Sequence, residues 1–392
     1  MLMPLGASAY DFVKNGIYYD ITGGKTVSVT YKDTGYNSYS GTVNIPATVV
    51  NNGTTYTVTE IGQYAFRTCS GLTNVVIPNT ITTIDFDAFY ACTALTSIKV
   101  ASGNTAYDSR NNCNAIIETA TNTLIAGCNA SSIPTTVTAI GNSAFKGCYD
   151  LTDTQLHDNI TSIGRSAYVS CTGLTSLRIP AKANSIDATA FIGCDNIASI
   201  TVDNRNTTYD SRRNCNAIIE TASSKLVRGC MNTIIPDGIV TIGEYAFRNY
   251  MTMTHIHIPA SVTSIESEGF MYTYALETII CEAMTPPAIN GSSFFEENYQ
   301  HSKLYVHRDA INAYANAEYW KEFVDIRAIE DLVRGDVDDD EQLSINDATL
   351  LIDYLITGNA PGVNLYNADF NNDDAVSIDD LSMFIDYLIT GH

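Results

Sequence analysis

One phrase recurs through this chain and leaves few folds open to it. "IGQYAFRTCSGLTNVVIP" (61–78) returns as "IDFDAFYACTALTSIKV" (84–100), "IGNSAFKGCYDLTDTQL" (140–156) and "IGRSAYVSCTGLTSLRIP" (163–180). It continues as "IDATAFIGCDNIASITV" (186–202), "IGEYAFRNYMTMTHIHIP" (242–259) and "IESEGFMYTYALETIIC" (265–281). An aromatic anchor marks each copy: Phe66, Phe89, Phe145, Tyr168, Phe191, Phe247 and Phe270, stepping by 23 residues except for two steps of 56. A unit this short cannot bury its own apolar face, so the units must stack. Apolar positions spaced as in Leu72, Val75 and Ile77 predict one strand plus a turn or short helix per coil.

Both long steps hold the same insertion. "NTAYDSRNNCNAIIETATNTLIAGC" (104–128) and "NTTYDSRRNCNAIIETASSKLVRGC" (206–230) agree at 18 of 25 positions, so a 102-residue superrepeat overlies the shorter one. Each insertion, over 101–135 and 203–236, reads as an irregular coil with its own hairpin. "GIYYDITGGKTVSVTYK" reads as a capping hairpin with a Gly-Gly turn. "KLYVHRDAINAYANAEYWKEFVDIRAI" reads as a closing strand and amphipathic helix.

The I-G-x-x-A-F-x-x-C-x-x-L-x-x-[IV]-x-IP pattern resembles the bacterial surface protein A-like leucine-rich repeats. The resemblance covers about residues 61–281. It implies a mainly β (β/α-β) solenoid of 23-residue coils that presents a binding surface for a host protein or a glycan. Outward strand positions form two rows in this reading. One runs Val76, Lys99, Gln155, Arg178, Thr201, His257 and Ile280; the other runs Asn74, Ser97, Asp153, Ser176, Ser199, His255 and Thr278. Lys99, Gln155, Arg178 and His257 are the candidate ligand contacts, on a flat, mildly polar and solvated sheet.

Ten cysteines do not by themselves make a disulfide framework. Cys69, Cys92, Cys148, Cys171 and Cys194 share one repeat position, where Tyr250 and Thr273 stand in later coils. A ladder of small buried residues is expected there, reduced and inert. Cys113/Cys128 and Cys215/Cys230 flank the two predicted hairpins, and a bridge within each pair stays open. No CxxC or His pair accompanies the cysteines to support zinc. His255 and His257, alternate residues of one strand, read as solvated surface rather than as a two-His metal site. No His is placed with a Ser or Cys nucleophile and an orienting acid, and no phosphate loop or glycosidase-like carboxylate pair stands out. A non-enzymatic binding protein is expected.

The last 62 residues differ in character. They hold fourteen Asp and Glu against one Arg, and so carry thirteen of the chain's 22 net negative charges. Such a charge argues against nucleic acid or an anionic membrane as partner, and no apolar run reaches the roughly 20 residues of a membrane span. Spacing separates an acidic tail from a metal cage. A calcium loop of the EF-hand type takes oxygens from positions 1, 3, 5, 7, 9 and 12. From Asp336 these fall on Asp336, Asp338, Asp340, Gln342 (backbone), Ser344 and Asp347. Thirty-three residues on they fall on Asp369, Asn371, Asp373, Ala375 (backbone), Ser377 and Asp380. Leu343 and Val376 are apolar plugs at position 8, and each loop leads into a near-identical segment, "LLIDYLITG" and "MFIDYLITG". All-oxygen donors without Cys or His favour two calcium ions over softer metals.

This duplicated loop–helix arrangement, over about residues 332–392, resembles a type I dockerin. The resemblance implies a small all-α, calcium-dependent module of two EF-hand-like units that binds cohesin modules on a scaffold protein. It implies that positions 10 and 11, here Ile345/Asn346 and Ile378/Asp379, contribute to cohesin choice. Glu341 and Asp374 depart from the family at position 6, where Gly relieves a tight turn; loop one is expected to bind more weakly for that reason.

The expected layout is a signal-peptide remnant at 1–9, with cleavage after Ala7-Ser8-Ala9, and an N-terminal β cap at 10–60. The solenoid follows at 61–300, a C-terminal cap at 301–330 and the dockerin at 331–392. The expected function is that of a secreted or cell-surface binding or adhesion protein docked onto a cohesin-bearing scaffold. The alternative is a non-catalytic component of a polysaccharide-degrading, cellulosome-like complex.

Overall fold

The computed structural model describes residues 9–358, 362–371, 373 and 375–391. The expected leader up to Ser8 lies outside them, as does Asp374. The chain divides into two compact units, Met1–Thr175 with Pro180–Asn196, and Ser176–Ile179 with Ile197–His392. Strands predominate in both.

In the first unit Ile17–Gly23 and Thr26–Thr30 form the expected hairpin. Its second strand runs parallel to Thr54–Ile61, which pairs in parallel with Thr83–Ile84 of the next coil. The coils contain two parallel ladders rather than the single strand expected. One joins Ser40–Asn44, Gly71–Ile77 and Ser97–Val100. The other joins Thr123–Ala126, Ala139–Ile140, Ser162–Ile163 and Ser185–Ile186. Between strand positions the "AFxxC" segments are turns. Thr68, Ala91, Gly147, Ser170 and Gly193, each two residues past the anchor, have φ between 53° and 76°. A left-handed residue at a fixed point therefore bends these coils, at about 1 kcal/mol wherever it is not Gly.

Both insertions are irregular coils with hairpins. Tyr107–Asp108, Ile116–Glu118 and Thr123–Ala126 make an antiparallel meander, and Tyr209–Asp210, Ile218–Glu220 and Lys225–Arg228 repeat it in the second unit. The last strand of each meander then takes a rung of the motif-strand ladder. Gly127 and Gly229 take the place of an anchor ring. A Cβ built there would lie 2.3 Å from Phe145 Cε1 and 2.2 Å from Phe247 Cε1, respectively.

The anchors stack. Ring centroids are 5.1 Å apart for Phe66–Phe89 and Phe145–Tyr168, and 5.4 Å for Tyr168–Phe191. In the second unit Phe247–Phe270 and Phe270–Phe294 are both 5.0 Å apart. Phe294 is a further rung that sequence comparison did not find, because its coil has lost the surrounding motif.

The anchor-plus-three cysteines are buried, Cys148 partly so, and all ten thiols are free. Their shared property is hydrogen-bond donation rather than small size. Cys92, Cys171 and Cys194 Sγ donate to the carbonyls of Phe66, Phe145 and Tyr168 at 2.9, 3.1 and 3.0 Å. Tyr250, a large residue at this position, donates its hydroxyl to Gly229 O at 2.9 Å. Burial pushes the Cys148 thiol up to about 12, which disfavours a thiolate there.

The second unit contains Ser176–Ile179 paired with Ser199–Val202, and a four-stranded parallel sheet of His255–Ile258, Thr278–Cys281, Lys303–Val306 and Asp325–Ala328. Helix α1 (Glu296–His301) and the single turn α2 (Ile311–Tyr314) lie among these strands in sequence. The closing segment thus departs from the expected strand and amphipathic helix. Only four residues are α-helical, and Trp320 turns inward to meet Phe294 edge to face, its Nε1 donating to Pro287 O at 2.7 Å. The chain then forms the last strand. Beyond it lie α3 (Ile345–Thr357), α4 (Leu365–Ala368) and α5 (Ile378–Thr390). Their own core is Val337, Ala348, Leu351, Val363, Ala368, Leu381 and Phe384, packed with Leu343 and Val376. No helix among the described residues is long and apolar enough to cross a membrane.

Candidate calcium loops and their seat on the repeat sheet

The two acidic loops are built on one hydrogen-bond plan. In each, the helix that follows is opened by a reciprocal cap. Ser344 Oγ accepts from Asn346 N while Asp347 accepts from Ser344 N at 2.9 Å. Ser377 and Asp380 repeat this, with Ser377 N donating to Asp380 at 2.8 Å. Asp347 and Asp380 are fully buried, and their other oxygens reach back into the loops. Asp347 Oδ1 accepts from Asp338 N at 3.3 Å, as Asp380 Oδ1 does from Asn371 N at 3.1 Å, and also takes Val337 N at 2.7 Å. Position 1 closes the turn. Asp336 Oδ1 accepts from Asp340 N at 3.1 Å, and Asp369 Oδ1 from Asp373 N at 3.0 Å. Position 5 accepts from position 7: Asp340 from Gln342 N at 2.8 Å, Asp373 from Ala375 N at 3.0 Å.

This wiring brings carboxylates together. Oxygens of Asp336, Asp338 and Asp340 lie within 4.8 Å of one another, as do those of Asp369, Asp373 and Asp380. The fit to a hard cation is chemical as well as geometric. Burial, together with the charges of Asp339, Asp347 and Asp338, pushes the Asp336 carboxyl up to about 6 although Glu341 N–H donates to it. Burial also raises Asp338. A divalent cation relieves that destabilisation directly. Ser344 and Ser377 cap their helices, and Gln342 and Ala375 enter the position-5 bonds through their backbone N–H groups. Ile345 and Ile378 are 71% and 63% exposed, and Asn346 and Asp379 beside them are exposed too. The four residues assigned to partner choice are therefore accessible on the first turns of α3 and α5.

Two of the solenoid candidates are not where the repeat alignment put them. Gln155 stands in a coil whose 151–157 segment forms no strand, and at φ 52° its side-chain amide donates to Ser131 O at 2.9 Å. His257 is not on a solvated face. It lies 3.2 Å from Glu282 Oε1, with its ring 4.8 Å from that of Tyr366, a residue of α4. Lys99 is exposed on its strand, and Arg178 is exposed but paired with Asp203 at 2.6 Å.

Loop one covers the outer face of the four-stranded sheet. His255, Thr278, Lys303 and Asp325 are register partners across it, and His257, Ile280, Tyr305 and Arg327 form the next row. Asp339, at loop position 4, sits on the first row. Its Oδ2 accepts from Thr278 Oγ1 at 2.6 Å and lies 2.9 Å from His255 Nε2. Its Oδ1 accepts from Asn364 at 2.8 Å and Asn367 at 3.1 Å. Burial raises the Asp339 carboxyl, but the bonds and charge of His255 with Thr278 and Asn364 outweigh it and hold it below the ordinary range. Glu341, at position 6, lies 3.3 Å from Arg327 and 3.5 Å from Lys303. Ile280, Tyr305 and Ile329 pack with Leu332 and Tyr366. Asn232 Nδ2 donates to Gly358 O, at the end of α3, at 2.7 Å.

Repeat reasoning treated this face as solvated and Glu341 as a defect of the loop. Ile280 gives no distinct signal of this in the sequence, because apolar Val76 stands in the same outward row of the first coil.

These features define a leucine-rich-repeat protein with a C-terminal pair of acidic loop–helix units. The chain belongs to the family of the BspA type leucine rich repeat region, which matches in six copies over residues 32–126, 119–228 and 228–326. Residues 334–389 match the dockerin type I domain, a class of module that binds calcium and pairs with cohesins. The chain is similar to a leucine rich cell surface protein from Faecalibacterium prausnitzii (20% identity, 81% of this chain and 94% of that one, TM-score 0.46). It is also similar to a leucine-rich repeat protein from Bacteroides ovatus (22%, 83% and 78%, TM-score 0.40). The pneumococcal vaccine antigen PcpA is a third similar structure (12%, 83% and 99%, TM-score 0.38). No curated protein matches.

Proposed function

We propose that this is an exported, non-catalytic surface protein whose repeats bind a protein or glycan, and whose C-terminal module, all-helical and carrying two calcium ions, docks onto a cohesin-bearing scaffold. The observation that carries the reading is the duplicated wiring of the two loops. Asp336/Asp347 and Asp369/Asp380 make equivalent backbone bonds, to positions 5 and 3 of each loop, around converging carboxylates. The exposed Ile345/Asn346 and Ile378/Asp379 supply contact surface beside each ion. Lys99 and Arg178 are the repeat-face contacts retained from the sequence.

The test is calorimetry of the full chain with calcium, followed by capture on a panel of type I cohesin modules with and without chelator. Two calcium sites and calcium-dependent capture are expected. No calcium uptake at millimolar concentration would overturn the reading. A glycan array and a pull-down of secreted proteins separate adhesion from service in a polysaccharide-degrading complex, since only the latter predicts plant-type glycans or partner hydrolases.

A further inference from the structure

We infer that the outer face of the sheet formed by His255–Ile258, Thr278–Cys281 and Lys303–Val306 positions the first calcium loop, so that the last coils of the repeat and the first ion form one coupled unit. The inference rests on the calcium reading of the loops and adds to it a role for repeat residues that touch no ligand atom.

The backbone supplies the first reason. Asp339 and Glu341 flank Asp340 and both adopt left-handed conformations, at φ 57° and 66°. Neither is Gly, so a free loop would relax from this shape readily. Both are held from outside. Both oxygens of the Asp339 carboxylate are held, one by bonds from Asn364 and Asn367 and the other by a bond from Thr278, with His255 Nε2 2.9 Å away. The Asp339 side chain is 12% exposed, so these bonds operate away from bulk water, where a lost partner is costly. Glu341 is the residue that breaks the family's position-6 pattern, and Lys303 and Arg327 stand beside it. A residue unfavourable to an isolated loop is explained by the surface the loop sits on.

The second reason is specificity of place. His255, Thr278 and Lys303 are consecutive register partners, so loop one lies along a single row of the sheet. Fixing positions 4 and 6 fixes the chain on either side of Asp340, and with it the convergence of Asp336, Asp338 and Asp340. The positive charges act in the opposite direction, since Lys303 and Arg327 disfavour a nearby cation. The two effects are separable. Pre-organisation survives high salt, whereas the repulsion from these half-buried charges is partly screened.

The coupling is reciprocal by linkage: if the sheet favours calcium, calcium must stabilise the sheet. The test uses the full chain. Thr278→Val removes one donor to Asp339 without changing shape or charge. In an Asp369→Ala background, which retains only loop one, it should weaken calcium about fivefold, within the usual range of coupling between sites. In an Asp336→Ala background, which retains only loop two, it should have little effect. Amide exchange gives a readout independent of affinity. Calcium should slow exchange in 255–258, 278–281 and 303–306 of the Asp369→Ala chain and not of the Asp336→Ala chain. Equal calcium affinity with and without Thr278→Val, or protection confined to residues 332–391, would overturn the coupling while leaving the calcium reading intact. Failure of every form to take up calcium would overturn both.

Discussion

Single carboxylates carry the sharpest expectations. Asp336→Ala and Asp369→Ala should each reduce calorimetric stoichiometry from two calcium ions to one, because each removes position 1 of its loop and the acceptor that closes the turn. Glu282 offers a metal-independent test. The hydrogen bond and charge of His257 hold its carboxyl below the ordinary glutamate range. A carboxyl lowered by folding adds stability that is fully present above its unfolded value of about 4.3 and is lost as pH falls through the folded one. Glu282→Gln should therefore lower the melting temperature at pH 7, by an amount corresponding to about 1 kcal/mol for a pair less than a third exposed. The two proteins should converge below pH 4, as melting curves across pH would reveal. A gap that persists at pH 3 would remove the ion pair from the account.

The repeating coil was legible because its determinants are periodic: an aromatic stepping by 23 residues outside the two insertions, a Cys three residues later in five coils, and three apolar strand positions. What stayed hidden was not periodic. Gly127 and Gly229 look like loop glycines, yet each lies where the next coil's ring leaves no room for a Cβ. Gly127→Ala should destabilise the first unit by about 1–3 kcal/mol, as overpacking does, measured by denaturant midpoint. Phe270→Ala removes a fully buried ring stacked on both sides, by Phe247 and Phe294, and should cost about 3–5 kcal/mol. Cys171→Ala deletes the donor to Phe145 O together with one buried heavy atom; at least about 1 kcal/mol is expected. The five ladder thiols should react slowly with alkylating reagents until the chain unfolds, which mass mapping during a denaturant titration would follow. Disulfides among them would contradict the stacked core. The calcium loops were legible for the same reason as the coils, by register. The seat of loop one was not, because no local pattern announces that Asp339 will meet Thr278 across 61 residues.

Charge is concentrated where a cation is needed to offset it. Thirteen of the 22 net negative charges lie in the last 62 residues, and a calcium-free module must hold the ligand carboxylates close with His255, Lys303 and Arg327 offsetting only Asp339 and Glu341. Ligand that binds only the folded form stabilises it by about 2.7 kcal/mol at a hundredfold excess over Kd. Chelation should therefore loosen residues 332–391 first and, with them, expose the sheet rows from His255 to Arg327. The first unit, with its own core from Phe12 to Cys128, should be unaffected. Limited proteolysis with and without chelator, read by fragment mass, checks the order. Simultaneous loss of both units would show that the calcium module stabilises far more than its own neighbourhood.

The seat of loop one also bears on mechanical load. A protein held by a scaffold at α3 and α5 and by a ligand on its repeats is a tether, and tension must pass between the two attachments. With a plain linker, all of it would run through the few residues around Leu332. Here Asp339, Glu341, Tyr366 and Gly358 are fastened to strands and turns from several coils, in the manner of a lap joint. Tension is shared across those fastenings, and the joint is expected to fail at a higher force with calcium bound than without it.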